Sequence, residues 1–194
     1  MSQLHAFVSE YSARDQPWRY LFQTTDVIMG TLLCLAGLAT LVWARHRPLG
    51  RQGWSGVGFV AGGFFSVLDA LVTMDCSPTR SQACMAAEEA GHVSVNHIVH
   101  VGTSTIVVVG FALPILLLNS TMTRFRGFGL VVTWAWVVFT LLNGIGAVGW
   151  FVSTPMDYTG IWQRFSLGLG TLWWLILAAD DIVTARVQDR ARSC

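Results

Sequence analysis

Apolar residues run almost unbroken through five stretches of the chain, about Asp26–Ala44, Gly56–Met74, Ser94–Leu118, Phe128–Val152 and Phe165–Val183. Each approaches or exceeds the roughly 20 residues with which a helix crosses the hydrocarbon layer of a bilayer. None shows the strict alternation of a barrel strand, and lipid offers a backbone amide no partner. The pattern therefore predicts an all-α polytopic membrane bundle of five transmembrane helices, one integral membrane domain over residues 1–194. Residues 1–24 are too polar to span. Within them Leu4, Phe7, Val8 and Tyr11 recur at helical spacing until Pro17, and Trp18, Tyr20 and Phe22 follow. That reads as a short interfacial helix and an aromatic anchor. Acidic residues precede the first span and no small-residue cleavage site follows it, so no cleavable signal is predicted.

Composition sharpens this. Of 194 residues, 53% are hydrophobic and 12% charged, half the roughly 25% charge of an average soluble domain. Nine Trp and eleven Phe exclude disorder. A net charge of +1 without a basic stripe argues against a nucleic-acid partner. All twelve basic residues are Arg. With five spans, Arg45, Arg47, Arg51, Arg124, Arg126, Arg186, Arg190 and Arg192 share one side, against Arg14, Arg19, Arg80 and Arg164 on the other. The positive-inside rule then places the C-terminus in the cytoplasm and the 75–93 loop outside the cell membrane. Cys76 and Cys84 fall in that loop, where a disulfide persists, and are expected to pair. Cys34 and Cys194 have no evident partner.

The candidate chemistry lies on one helical face. At 100° per residue, Glu89, His92, Asn96, His97, His100, Thr103 and Ser104 share an arc of roughly 140°. Val95, Ile98, Val99, Gly102 and Ile106 occupy the opposite arc. The second span answers with Gly62, Ser66, Asp69 and Thr73 in line. Asp69 and His100 each lie roughly 10 Å below the outer end, at ~1.5 Å per residue. Asp75 sits at the rim, and Thr140 and Asn143 of the fourth span could close a cavity from another side.

An ionisable group inside a membrane costs several kcal/mol unless it faces a partner or a water-filled cavity. Asp69 with His97 or His100 forms an economical acid–base pair, with Asp75 as a further catalytic candidate. Ser66, His92, Asn96 and Asn143 are the substrate-binding candidates. His97 and His100 could instead help hold zinc, although their spacing matches no zinc-protease signature. The plainer alternative is hydrogen bonding that joins two helices. Glu88 and Glu89 individually read as solvated, and Asp180 and Asp181 as an ion-pair network with nearby Arg. Gly62, Gly144, Gly168 and Gly170 would permit close helix approach. Haem is disfavoured, since His5 and His46 lie far from the other three His, and no nucleotide fingerprint is present.

The run Asp75-Cys76-Ser77-Pro78-Thr79, then Cys84, Glu88, Gly91, Val93-Ser94, His97 and His100, resembles a family of small multi-span membrane proteins. That family is common in actinobacteria and is catalogued only as a domain of unknown function. The resemblance covers about residues 50–115 and implies the pocket residues, not a chemistry. Its members usually show six spans. The all-Arg, Trp-rich composition agrees with a high-GC actinobacterial source. More distantly, Ser66, Asp69, His97 and His100 are similar to part of the zinc set of alkaline ceramidases and adiponectin receptors. Two His of that set come from a late span, and this chain has no His after His100.

The expected function is that of an integral membrane enzyme with an outward-facing pocket. It would carry out acid–base or metal-assisted hydrolysis, isomerisation or cyclisation on a lipid or other apolar small molecule. The alternative is a non-enzymatic accessory or lipid-binding subunit whose polar face meets a protein partner.

Overall fold

A computed structural model describes residues 4–45, 50–151 and 158–192. Six α-helices follow in chain order: α1 Arg19–Ala44, α2 Arg51–Leu71, α3 Gln82–Glu89, α4 Val95–Leu118, α5 Arg126–Phe151 and α6 Thr159–Arg192. Among the described residues there is no strand. Among the described residues five helices, all but α3, are long and apolar enough to cross a membrane, as in a multi-pass helix bundle. Predicted features at His46, Arg47, Val152 and Cys194 lie outside the described residues.

The helices exceed their apolar cores. α1 starts at Arg19, seven residues before the first continuous apolar position, because nothing after Pro17 interrupts helical geometry. α6 continues to Arg192, carrying its charged last turns beyond the hydrophobic run. α2 stops at Leu71 instead of Met74, since Val72 leaves the helical region with ψ 82° and turns the chain toward α4. Ser94 caps α4 by accepting the His97 N–H at 3.3 Å.

The expected interfacial helix is not formed. Its place is taken by a single 3-10 turn, Val8–Ser12, in which Glu10 and Ser12 are buried. A helix lying on the surface would leave Glu10 in the headgroups; here the carboxylate finds its donors in the loop after α2 instead. Trp18 and Tyr20 remain exposed, as an anchor requires.

Glycine sets the spacing of α1, α2 and α4. A methyl group added at Gly30 would stand 2.7 Å from the Gly63 carbonyl oxygen, and one at Gly110 would stand 2.5 Å from Gly62 Cα. Backbone thus lies on backbone, the usual way for helices to associate where lipid removes any hydrophobic incentive. Of the other glycines expected at contacts, Gly144 and Gly168 meet open space.

α5 and α6 pair with each other and meet the remaining helices through large side chains. Ile115, Met122, Val132, Trp136, Trp173 and Ile176 form that core, and Phe59 of α2 packs on Trp174 with ring centroids 4.7 Å apart and planes tilted by 43°. Near α5's start, Asp180 accepts the backbone N–H groups of Thr123, Arg124 and Phe125 at 2.9, 2.6 and 2.8 Å. This corrects the expected ion-pair network. Free amides before a helix N-terminus hold a carboxylate as firmly as Arg would, and Asp181 is exposed.

Replacing Gly110 with Val should lower stability in detergent by about 1–3 kcal/mol, since the facing backbone cannot yield. Gly168→Ala should be neutral or stabilising. Thermal unfolding of the two variants checks this; equal melting points would contradict backbone-on-backbone packing.

Candidate functional site

The loop between α2 and α4 is held from several sides at one end of the bundle. A disulfide joins Cys76 to Cys84, tying the loop to α3. Asp75 accepts the Ser94 N–H at 2.7 Å and its hydroxyl at 2.8 Å, and receives Arg14 at 3.3 Å. Burial by itself would raise the Asp75 carboxyl, but the Ser94 hydrogen bonds, the Arg14 charge and His97 outweigh it and hold the group below the usual carboxylate range.

His97 and His100, one turn apart on α4, are both buried. The backbone N–H of Asp75 donates to Nδ1 of His97 at 3.2 Å. A neutral His97 therefore carries its proton on Nε2, which stands 3.8 Å from Glu88 Oε1. His100 is arranged oppositely. Its Nδ1 lies 2.9 Å from the Val72 carbonyl, 3.1 Å from the Asp69 carbonyl and 3.3 Å from Asp69 Oδ1. All three neighbours are acceptors, so Nδ1 holds the proton and Nε2 keeps the lone pair. Both carbonyls belong to the frayed C-terminal turn of α2, where helix carbonyls lack intrahelical partners. Asp69 also accepts Ser104 Oγ at 3.0 Å on each oxygen, and the Thr103 hydroxyl.

Beside His100 is a cavity of about 270 Å³. Its walls come from the N-terminal segment, the loop after α2, α3, α4, α5 and α6. His100 and Asn143 line it as expected, with Thr140 and Ser104. Asp69 is not on the wall and is linked to it through His100 and Ser104. His97, Asp75 and Ser66 lie outside the wall. The α4 side is not covered by a neighbouring helix: Val101, Thr105 and Val108 line the cavity and are exposed.

Two expected binding residues are misplaced. His92 and Asn96 are exposed and do not line the cavity. The helix breaks between His92 and His97: α3 ends at Glu89, Gly91 has φ +68°, and α4 begins only at Val95. No common helical phase links His92 to His97. Zinc fares no better. Among the described residues no three His, Cys, Asp or Glu side chains converge on a metal position, and a zinc centre needs at least three.

Three acidic residues matter that the polar face did not reveal. Glu10 is 1% exposed and accepts Thr79 Oγ1 at 2.5 Å, Thr79 N–H at 3.1 Å, Phe7 N–H at 3.1 Å and the Ser77 hydroxyl. Glu88 was expected in solvent, yet it lines the cavity with a side chain 16% exposed. Burial, then the charges of Glu10 and Glu89, push its carboxyl up. Asp26 of α1 lies level with Asp69, because Gly30 meets Gly63 and Val67 one turn further in, and it feels the charges of Asp69 and His100. A lone acid among apolar residues was the available signal for Glu10; for Asp26 it was an acid opening an apolar span.

The N-terminal segment bridges the two halves of the bundle over the cavity. Arg14 N–H donates to the Met74 carbonyl at 3.0 Å, while Val8 N–H donates to Gln163 Oε1 at 2.5 Å and Arg164 to the Ala6 carbonyl at 2.9 Å. Three wall residues, Glu88, His100 and Asn143, carry a buried polar atom without a hydrogen-bond partner: Oε2, Nε2 and Oδ1.

Over residues 1–180 the sequence matches the family described as protein of unknown function DUF998, and the chain belongs to that family. No curated protein and no solved structure matches it.

Because the folded-state pKa of Asp75 is depressed, its ionised form stabilises the fold above the ordinary carboxylate range near pH ~3.9. That contribution is lost as pH falls through the lowered value. Melting curves of wild type should therefore drop more steeply below about pH 4 than those of Asp75→Asn. Parallel acid limbs would contradict the clamp.

Proposed function

We propose that this DUF998 member is an integral membrane enzyme that moves a proton on a lipid or other apolar substrate held in the cavity beside His100. The observation that carries the reading is the state of one imidazole. His100 Nδ1 is committed to three acceptors, while Nε2 is buried, unpartnered and on a residue of the cavity wall. Such a ring accepts a proton at Nε2, and the imidazolium formed is stabilised by Asp69 and by the C-terminal end of α2.

Glu88 is the complementary donor. Its raised carboxyl holds a proton into a less acidic range than a solvated Glu does. His100 and Glu88 on one wall form an acid and a base suited to isomerisation, cyclisation or hydrolysis. Asp75 and His97 act as positioning residues, the first by clamping α4 to the loop and the second by facing Glu88. The uncovered α4 side, with Val101 and Val108, suits entry of an apolar molecule from the bilayer. The excess of Arg at the opposite end of the bundle favours a plasma-membrane protein with the cavity facing outward and the C-terminus cytoplasmic.

A second reading has its own support: Asp69 is bound by Thr103 and Ser104 across the α2–α4 contact. That serves equally a lipid-binding accessory subunit without turnover.

The test is conversion of a total membrane lipid extract by the protein reconstituted in liposomes, read by untargeted mass spectrometry. His100→Gln and Glu88→Gln should each reduce conversion by about 10²–10⁴-fold while the melting point stays close to wild type. Full conversion by both variants would overturn the assignment. Lipid that copurifies unchanged with wild type would select the accessory reading.

A further inference from the structure

The cavity wall has a charge and hydrogen-bond signature that restricts its ligand. Among the described residues two formally charged ones line it, Glu10 and Glu88, both acidic, and no Arg does. Arg14 is bound to Asp75 and Thr73, and Arg164 to the carbonyls of Ala6 and Gly160. Glu10 is saturated by Ser77, Thr79 and Phe7, so Glu88 is the acidic group left to meet a ligand, and a cationic head placed on it would draw its carboxyl into the ionised form.

The unpartnered atoms agree with this. Glu88 Oε2, Asn143 Oδ1 and His100 Nε2 are all acceptors, the last because Nδ1 carries the ring proton. A buried acceptor without a donor is costly, and each of the three belongs to a different helix around one cavity. Three acceptors, one of them a carboxylate oxygen, match a head with several N–H donors and a positive charge. They repel a phosphate, sulfate or carboxylate head, which would meet Glu88 with no compensating cation.

The remainder of the wall is a tail site. Along α4 it runs from His100 through Val101 and Ser104 to Val108, about 12 Å at the helical rise. A volume of about 270 Å³ beside this stretch suits a single alkyl chain. We infer that the cavity binds a single-chain amphiphile with a primary amine head, held by Glu88, Asn143 and His100, its chain lying along the Val101–Val108 side of α4. This rests on the reading of the cavity as the substrate site and names the class of substrate.

The experiment is saturation binding of radiolabelled decylamine to the full chain in nanodiscs of zwitterionic lipid, with decanol, decanoate and decyl phosphate as competitors. Decylamine should bind saturably at one per chain, and decanoate and decyl phosphate should compete at least about tenfold less well. Glu88→Gln should weaken decylamine at least about tenfold, and Val101→Trp, which fills the tail site without touching a polar group, should abolish binding. Asn143→Leu replaces Glu88→Gln if the latter does not melt like wild type. Equal or tighter binding of an anionic competitor overturns the inference, as does decylamine binding that survives both Glu88→Gln and Val101→Trp. Binding is read without turnover. Saturable decylamine binding by a protein that converts no lipid therefore sustains the ligand class and removes the enzymatic reading; conversion of an anionic amphiphile through His100 does the reverse.

Discussion

The contact between α2 and α4 at backbone distance governs the architecture of the site. Ordinary helix pairs stand about 8–10 Å apart, held off by side chains. Here Gly58 of α2 and Gly110 of α4 have no room for a methyl group, Gly110 lying directly against Gly58 and Gly62. Further along the same antiparallel pair, the imidazole of His100 can therefore reach backbone carbonyls of α2 as well as a carboxylate. Widening that contact by one side chain would leave Nδ1 without partners and the ring free to turn. The tautomer assigned to His100 is thus a consequence of glycine two to three turns away.

The cavity follows from how differently the rest of the bundle is packed. α5 and α6 are kept off α2 and α4 by Trp136, Trp173, Ile115 and Phe59, which fill the space near the arginine-rich end and the middle. Nothing comparable fills it near the disulfide. There α4 and α5 contribute the small side chains of Val101, Ser104, Val108, Thr140 and Gly144 beside His100 and Asn143, and a strap formed by the N-terminal segment spans the gap. The strap is fixed by hydrogen bonds to both halves, and its own acid, Glu10, is neutralised by donors from the Ser77–Thr79 stretch. The result is a space closed toward the end of the molecule and uncovered along α4.

Much of this was readable from residue order. The five spans follow from apolar length, and the Cys76–Cys84 bridge from a loop position shared by two cysteines. The meeting of Asp69 with His100 follows from equal depth on neighbouring helices, and that of Asn143 with the cavity from a polar position inside an apolar span. What periodicity could not supply was phase across a break. His92 shares no helical phase with His97, because the positive φ of Gly91 resets the direction of the chain, and Asn96, although on α4, lies in its first turn, exposed and away from the cavity. Long-range partners were equally invisible. Glu10 and Ser77 are 67 positions apart, and no local rule places a polar N-terminal segment over a loop it joins only through tertiary hydrogen bonds. Asp75 shows a third limit: its position at the rim was readable, but its hydrogen bonds to Ser94 and Arg14 were not.

The most direct measurement is the ¹⁵N spectrum of the two buried imidazoles in the reconstituted protein at neutral pH, assigned through His97→Gln and His100→Gln. The two rings are expected in opposite neutral forms, His100 protonated on Nδ1 with a bare Nε2 and His97 protonated on Nε2. A His100 ring carrying its proton on Nε2, or two rings in the same tautomer, would contradict the account.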